Sequence, residues 1–132
     1  MSKNLVILAL VLLFALIAFI YKFFVVASPL KNATLKIGGQ EFRIEVAKDD
    51  ASRSRGLSGR EYLAPDQGML FIFEAAGNHG FWMKGMKFPL DILWIRGNRV
   101  IGFTENVPIS NEFPPLVYYP PGPIEKVVEI NA

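Results

Sequence analysis

Phe81-Trp82-Met83-Lys84-Gly85-Met86-Lys87-Phe88-Pro89-Leu90-Asp91-Ile92 forms the middle of the stretch Gly68 to Ile95, and the reading of that stretch decides the fold. It holds both tryptophans, three of the four methionines, the only histidine (His79) and a single aspartate in apolar surroundings. Met69-Leu70-Phe71-Ile72-Phe73 and Ile92-Leu93-Trp94-Ile95 are unbroken apolar runs, the pattern of strands covered on both faces. Residues 69–74, 80–84 and 91–96 are therefore read as three central strands. Gly97-Asn98 is a tight turn leading into a strand over residues 99–104.

Working toward the N-terminus, Phe42, Ile44 and Val46 alternate with Glu41, Arg43 and Glu45, which marks a half-buried strand. Residues 33–37 and 40–47 flank Gly38-Gly39, whose tolerance of positive φ suits a two-residue hairpin turn. Asp49-Asp50 before Arg53 and Arg55, closed by Gly56, predicts a helix of about two turns. Toward the C-terminus, Pro108 to Pro123 contains six prolines, so an extended loop is expected there. Residues 125–130 read as a last strand. The fold class that follows is mainly β: a small barrel-like antiparallel or mixed sheet with one short helix, preceded by an N-terminal transmembrane helix.

That preceding segment, residues 1–27, is apolar without interruption from Leu5 to Ile20 and again from Phe23 to Ala27. About twenty such residues cross a bilayer as a helix, with Lys22 reaching the interface. Anchorage of the chain in a membrane through residues 5–27 is the favoured reading. Cleavage as a signal segment near Ala27, giving a secreted domain, is the alternative. A very short N-terminal tail before a long apolar stretch resembles an export signal, which places the domain outside the cytoplasm. Residues 28–32 are a linker, and residues 33–132 form the single folded domain that a 132-residue chain can support.

Lys3 and Lys22 account for two of the 14 basic residues, leaving 12 to balance 12 acids in the remainder. The folded part is neutral and has no basic stripe, so nucleic acid is not an expected partner. The absence of cysteine excludes disulfides, thiolate metal sites and a cysteine nucleophile. No cofactor is expected.

Arg55-Gly56-Leu57 with Arg60 and Leu63, then Gly68-Met69-Leu70-Phe71 with Phe73, Phe81-Trp82-Met83-Lys84 and Pro89-Leu90-Asp91-Ile92 recur in order. In this the chain resembles the bacterial and archaeal domain of unknown function 192 family from about Ala33 onward. The resemblance implies a small, mostly β domain of barrel-like character, commonly exported or membrane-anchored, with no settled activity. Where family members carry a polar pair after Trp-Met-Lys, this chain has Gly85-Met86. It also stops at Asn131-Ala132, which reads as a shortened C-terminus with an edge strand missing or exposed.

Arg55, Arg60, Lys84 and Asp91 are charges embedded in apolar sequence, and with Trp82 they are the candidate ligand-binding set. Arg offers a planar fork for an anionic or polar ligand. The bland alternative is that Asp91 caps turn amides and pairs with a cation to hold the fold. A catalytic reading makes Asp91 a general base with Lys84 stabilising negative charge, but no second titratable group stands beside it in sequence; Glu74 and Glu105 are the acids that space could bring near. His79, Met83 and Met86 form a possible copper(I) set, although a strand would put Trp82 and Met83 on opposite faces. The function expected is a membrane-anchored, extracytoplasmic binding module for a small polar or envelope-derived ligand or an envelope protein. A hydrolase-like enzyme and a purely structural interaction domain are the alternatives.

Overall fold

The computed structural model describes residues 3, 7, 11–17 and 31–132. Residues 11–17 are helical, and among the described residues no helix is long and apolar enough to cross a membrane. The expected span over residues 5–27 and the linker over 28–32 fall largely outside the described residues. The sheet begins at Lys31, inside the stretch read as linker.

Strands β1 (Lys31–Ile37) and β2 (Gln40–Ala47) form the expected hairpin, with Gly38 and Gly39 at φ 58° and 86°. Both turn positions are thus in the region where a Cβ is disfavoured, as a right-twisted hairpin requires. Helix α1 (Asp50–Arg55) follows. Asp49 accepts from the Ser52 amide, and the Ser52 hydroxyl faces the Asp49 amide, a reciprocal cap that fixes where the helix starts. Strand β3 (Gln67–Gly77) then returns parallel to β2, the one parallel pairing in a sheet otherwise antiparallel.

The remaining elements are β4 (Phe81–Trp82), β5 (Leu90–Arg96), β6 (Arg99–Val107), β7 (Val117–Tyr118) and β8 (Ile124–Asn131). Six strands make the main sheet in the order β1-β2-β3-β8-β5-β6, while β4 and β7 pair separately as a short ribbon. The protein is therefore mainly β with one short helix and a mixed sheet. It is not a closed barrel: β1 and β6 lie at opposite edges with no pairing between them. Phe42, Ile44, Leu93 and Val128 are buried in a cluster on one face of the sheet, with Leu35, Ile37, Leu70, Ile95 and Ile130 packed against it.

The other face carries the larger core, in which Met69, Phe71, Ile92, Trp94 and Val127 meet Leu57, Leu63 and Met83 from the covering segments. One expectation is corrected here. Residues 80–84 are not a central strand: Phe81 and Trp82 pair with β7, and the chain then turns at Met83–Met86, with Gly85 at φ 73°, to cross over the sheet face. The last strand lies inside the sheet, with β8 hydrogen-bonded to β3 on one side and β5 on the other.

The seating of β8 is close at Gly68. A Cβ there would stand 2.5 Å from the Glu129 carbonyl oxygen, 2.8 Å from Ile130 and 2.9 Å from Ile44. Gly68→Ala is expected to destabilise the domain by about 1–3 kcal/mol, since neither backbone has room to yield. Urea unfolding measures it, and a change under ~0.5 kcal/mol would mean that the two strands separate easily at this point.

Candidate functional site

Cross-strand register places Glu45 beside Met69, Met69 beside Glu129 and Glu129 beside Ile92, so two glutamates share one row on the covered face. Two strand spacings, roughly 10 Å, separate their backbones. Their surroundings differ. Arg60, from the loop after α1, holds Glu45 with two parallel hydrogen bonds of 2.6 and 2.7 Å. That bond, with the charge of Arg60 behind it, keeps the Glu45 carboxyl below the usual range and raises Arg60 in turn.

Glu129 has no such partner. It is 5% exposed, and no hydrogen bond reaches its carboxyl among the described residues. Burial alone pushes it up to about 8, so at neutral pH it is mostly a protonated acid able to donate a hydrogen bond. A carboxyl without a protein partner is tolerated here for a reason: among the described residues no side-chain polar atom shut off from solvent is left unbonded, so the Glu129 oxygens open onto a space.

The reason is a cavity. Glu129 lines a space of about 300 Å³ between α1, β3 and β4. Leu57, Phe71, Phe81 and Met86 give it apolar walls, and Phe71 and Phe81 meet edge-to-face at 4.9 Å. Phe73 and His79 are stacked at 3.7 Å on another side, with His79 Nε2 3.0 Å from the Ala75 carbonyl. Arg53 anchors α1 over this wall. Its guanidinium donates to the Lys48 and Ile72 carbonyls and to Asp50, and lies 5.3 Å over the Phe73 ring.

Of the residues singled out from sequence, Arg55 and Trp82 line the cavity. Arg55 is exposed in the last turn of α1, and its side chain has no hydrogen-bond or ion-pair partner among the described residues. Trp82 is 52% exposed. Arg60 is engaged with Glu45 and does not line the cavity. Lys84 is exposed, and its carbonyl accepts from the Ser58 hydroxyl at 2.8 Å. Asp91 lies off the cavity and accepts from the Asn106 amide at 2.7 Å, where Asn106 adopts φ 48°. It thus caps the irregularity at which β6 slips register against β5, and among the described residues neither Glu74 nor Glu105 hydrogen-bonds to it. The five residues do not converge on one concavity.

The copper(I) set is also divided. Met83 is sealed in the core at 3% exposure, whereas His79 and Met86 line the cavity. Among the described residues no group of three His, Asp or Glu side chains is placed to hold a metal.

Glu129 was the residue missed, and a signal for it existed. In Lys126-Val127-Val128-Glu129-Ile130 every second residue shares a face, so an acid following Val127 at that spacing points where Val127 points. The sequence alone does not say which face is the covered one.

The DUF192 family model, whose description is Uncharacterized ACR, matches residues 33–132. Among solved structures, that of a candidate transcription regulator from Sinorhizobium meliloti 1021 is similar, with 31% identity and a TM-score of 0.66 over 80% of this chain and 85% of the other. A protein of unknown function from Novosphingobium aromaticivorans DSM 12444 is 26% identical with a TM-score of 0.63, over 77% of this chain and 81% of the other. No curated protein matches.

The state of Glu129 is readable in stability. Its folded-state value, about 8, lies above the ordinary 4.5, so the folded form binds the proton more tightly. Its ionisation therefore leaves stability intact below pH 4.5 and erodes it as pH rises toward 8, after which the loss is constant. Glu129→Gln should remove that slope and raise stability at pH 9 by about 2–4 kcal/mol, as expected when an unpaired buried charge is deleted. Thermal melts of both forms between pH 5 and 9 test it; parallel curves would show that Glu129 is ionised throughout or solvated.

Proposed function

The chain belongs to the DUF192 family, and from that footing we propose that its domain is a binding module whose ligand site is the cavity over Glu129. The observation that supports this is the unpaired, buried carboxyl lining an apolar cavity of about 300 Å³. Small-molecule sites have this composition, mostly apolar walls with a few placed polar groups. A ligand that hydrogen-bonds Glu129 supplies the partner that the fold withholds. Arg55 and Trp82 sit where a ligand would extend toward solvent.

We further propose that residues 5–27 anchor the domain to a membrane and that it works outside the cytoplasm, on the length and apolarity of that segment. The ligand is then a small molecule met in an outer compartment. A transcription-regulator role like that ascribed to the Sinorhizobium meliloti protein finds no support in the charge of residues 28–132, where basic and acidic residues are equal in number. The hydrolase reading is not carried forward, because the Asp91 carboxylate is engaged as a turn cap.

Thermal-shift screening of the full chain in mild detergent tests the site. The panel comprises amino acids, short peptides, sugars, nucleotides, small organic acids and amines. At least one class should raise Tm in the parent and in Asp91→Asn, which lies off the cavity, and should fail in Glu129→Gln, which folds at least as well as the parent. At a hundredfold excess over Kd the stabilisation is about 2.7 kcal/mol, well within detection. Shifts that survive in Glu129→Gln would place the site elsewhere.

A further inference from the structure

Resting on that reading of the cavity, we infer that its ligand is a small zwitterion of the α-amino acid type, with its ammonium group on Glu129 and its carboxylate at the mouth on Arg55. The distribution of charge is the argument. Inside, the polar group aimed into the apolar part is an acid, and Leu57, Phe71, Phe81 and Met86 around it offer no hydrogen-bond donor from their side chains. A ligand carboxylate placed there would share one proton with Glu129 and leave its other lone pairs unanswered, a costly arrangement. An ammonium finds a carboxylate among aromatic walls.

At the mouth the sign reverses. The Arg53 guanidinium is held by the Lys48 and Ile72 carbonyls and by Asp50, so it is fixed in place as part of the wall. Arg55 has its whole fork free among the described residues, and Ser54 stands next to it on the lining. Glu45, whose carboxylate feels the charge of Arg55, is already doubly bonded by Arg60. An acid within and an available guanidinium without are the complement of a molecule with a cation at one end and an anion at the other. A volume of about 300 Å³ is at the small end for ligand sites, the size of a single amino acid rather than a peptide.

Proton balance follows from the same picture. The protonated Glu129 of the empty site gives its proton to solvent as the ammonium enters, so one proton leaves per ligand bound below pH 8. The charged groups that face the cavity are Asp50, Arg53, Arg55 and His79, with the Glu45–Arg60 pair further along the row. Asp50 is tied to Arg53, and His79 is the imidazole on the lining.

Isothermal titration calorimetry on the full chain decides it. The probes are D- and L-amino acids, each beside its decarboxylated amine and its N-acetylated acid. Intact zwitterions should bind, with affinity rising about fivefold from pH 7 to 8 and about twofold more before levelling, and with close to one proton released at pH 7. That slope should persist in His79→Gln and vanish in Glu129→Gln, which should bind at least ~30-fold more weakly. Arg55→Ala should weaken zwitterions by about tenfold and leave the decarboxylated amine unchanged, the result a merely structural arginine does not give. Equal or tighter binding of the N-acetylated acid, or affinity that falls with rising pH, overturns the inference. So does failure of every amino acid while another class still binds through Glu129, an outcome that leaves the cavity reading standing; silence from every class overturns both.

Discussion

Insertion of β8 between β3 and β5 is the constraint on which the rest of the structure depends. Without it, β1, β2 and β3 form one set of paired strands and β5 with β6 another, and no pairing joins the two. The final eight-residue strand supplies both ladders, and it supplies Val127 to one core and Val128 to the other. Gly68 is part of the same requirement, since only a residue without a side chain lets β3 come within reach of the Glu129 carbonyl. A strand so placed is covered on both faces. Any polar side chain it carries must be answered by a partner, a proton or a ligand.

Much of the local structure was legible because it is encoded locally. Gly38-Gly39 marks a hairpin turn by its conformational demand, and Asp49 through Gly56 carries cap, dipole and stop signals within eight residues. The alternation in β2 and the apolar run in β3 reflect one and two covered faces. Residues 80–84 misled because Phe81 and Trp82 do pair as strand, but with β7 from the proline-rich loop instead of the main sheet. Gly80 fits against Val117 and Tyr119 there, a long-range contact with no trace in the nearby sequence. Strand order is likewise set by partners distant in the chain, which is why the sequence does not show that the last strand lies between β3 and β5.

The candidate site was less legible for a related reason. Charges in apolar sequence drew attention to Arg55, Arg60, Lys84 and Asp91, and such charges have two possible fates: satisfied by the fold, or left for something else. Arg60 and Asp91 went the first way, the one on Glu45 and the other on the Asn106 amide. Glu129, which sits in an ordinary valine-rich strand, went the second. What separates them is the presence of a donor within about 3 Å, a tertiary fact that spacing along the chain does not encode.

The contrast between Glu45 and Glu129 is therefore what the proposed binding role of the cavity rests on. Both are glutamates on one face of one sheet, in the same cross-strand row. The loop sends Arg60 to Glu45 and sends nothing to Glu129, while Arg53, which passes near, is turned to backbone carbonyls and Asp50. A fold selected only for stability would place an apolar residue at 129, as it does at 127 and 128, since replacing a buried unpaired acid with a well-packed apolar group removes a penalty. The acid instead faces an open cavity whose remaining walls are apolar and aromatic. Arg55, exposed and without a hydrogen-bond or ion-pair partner among the described residues, lines the same cavity.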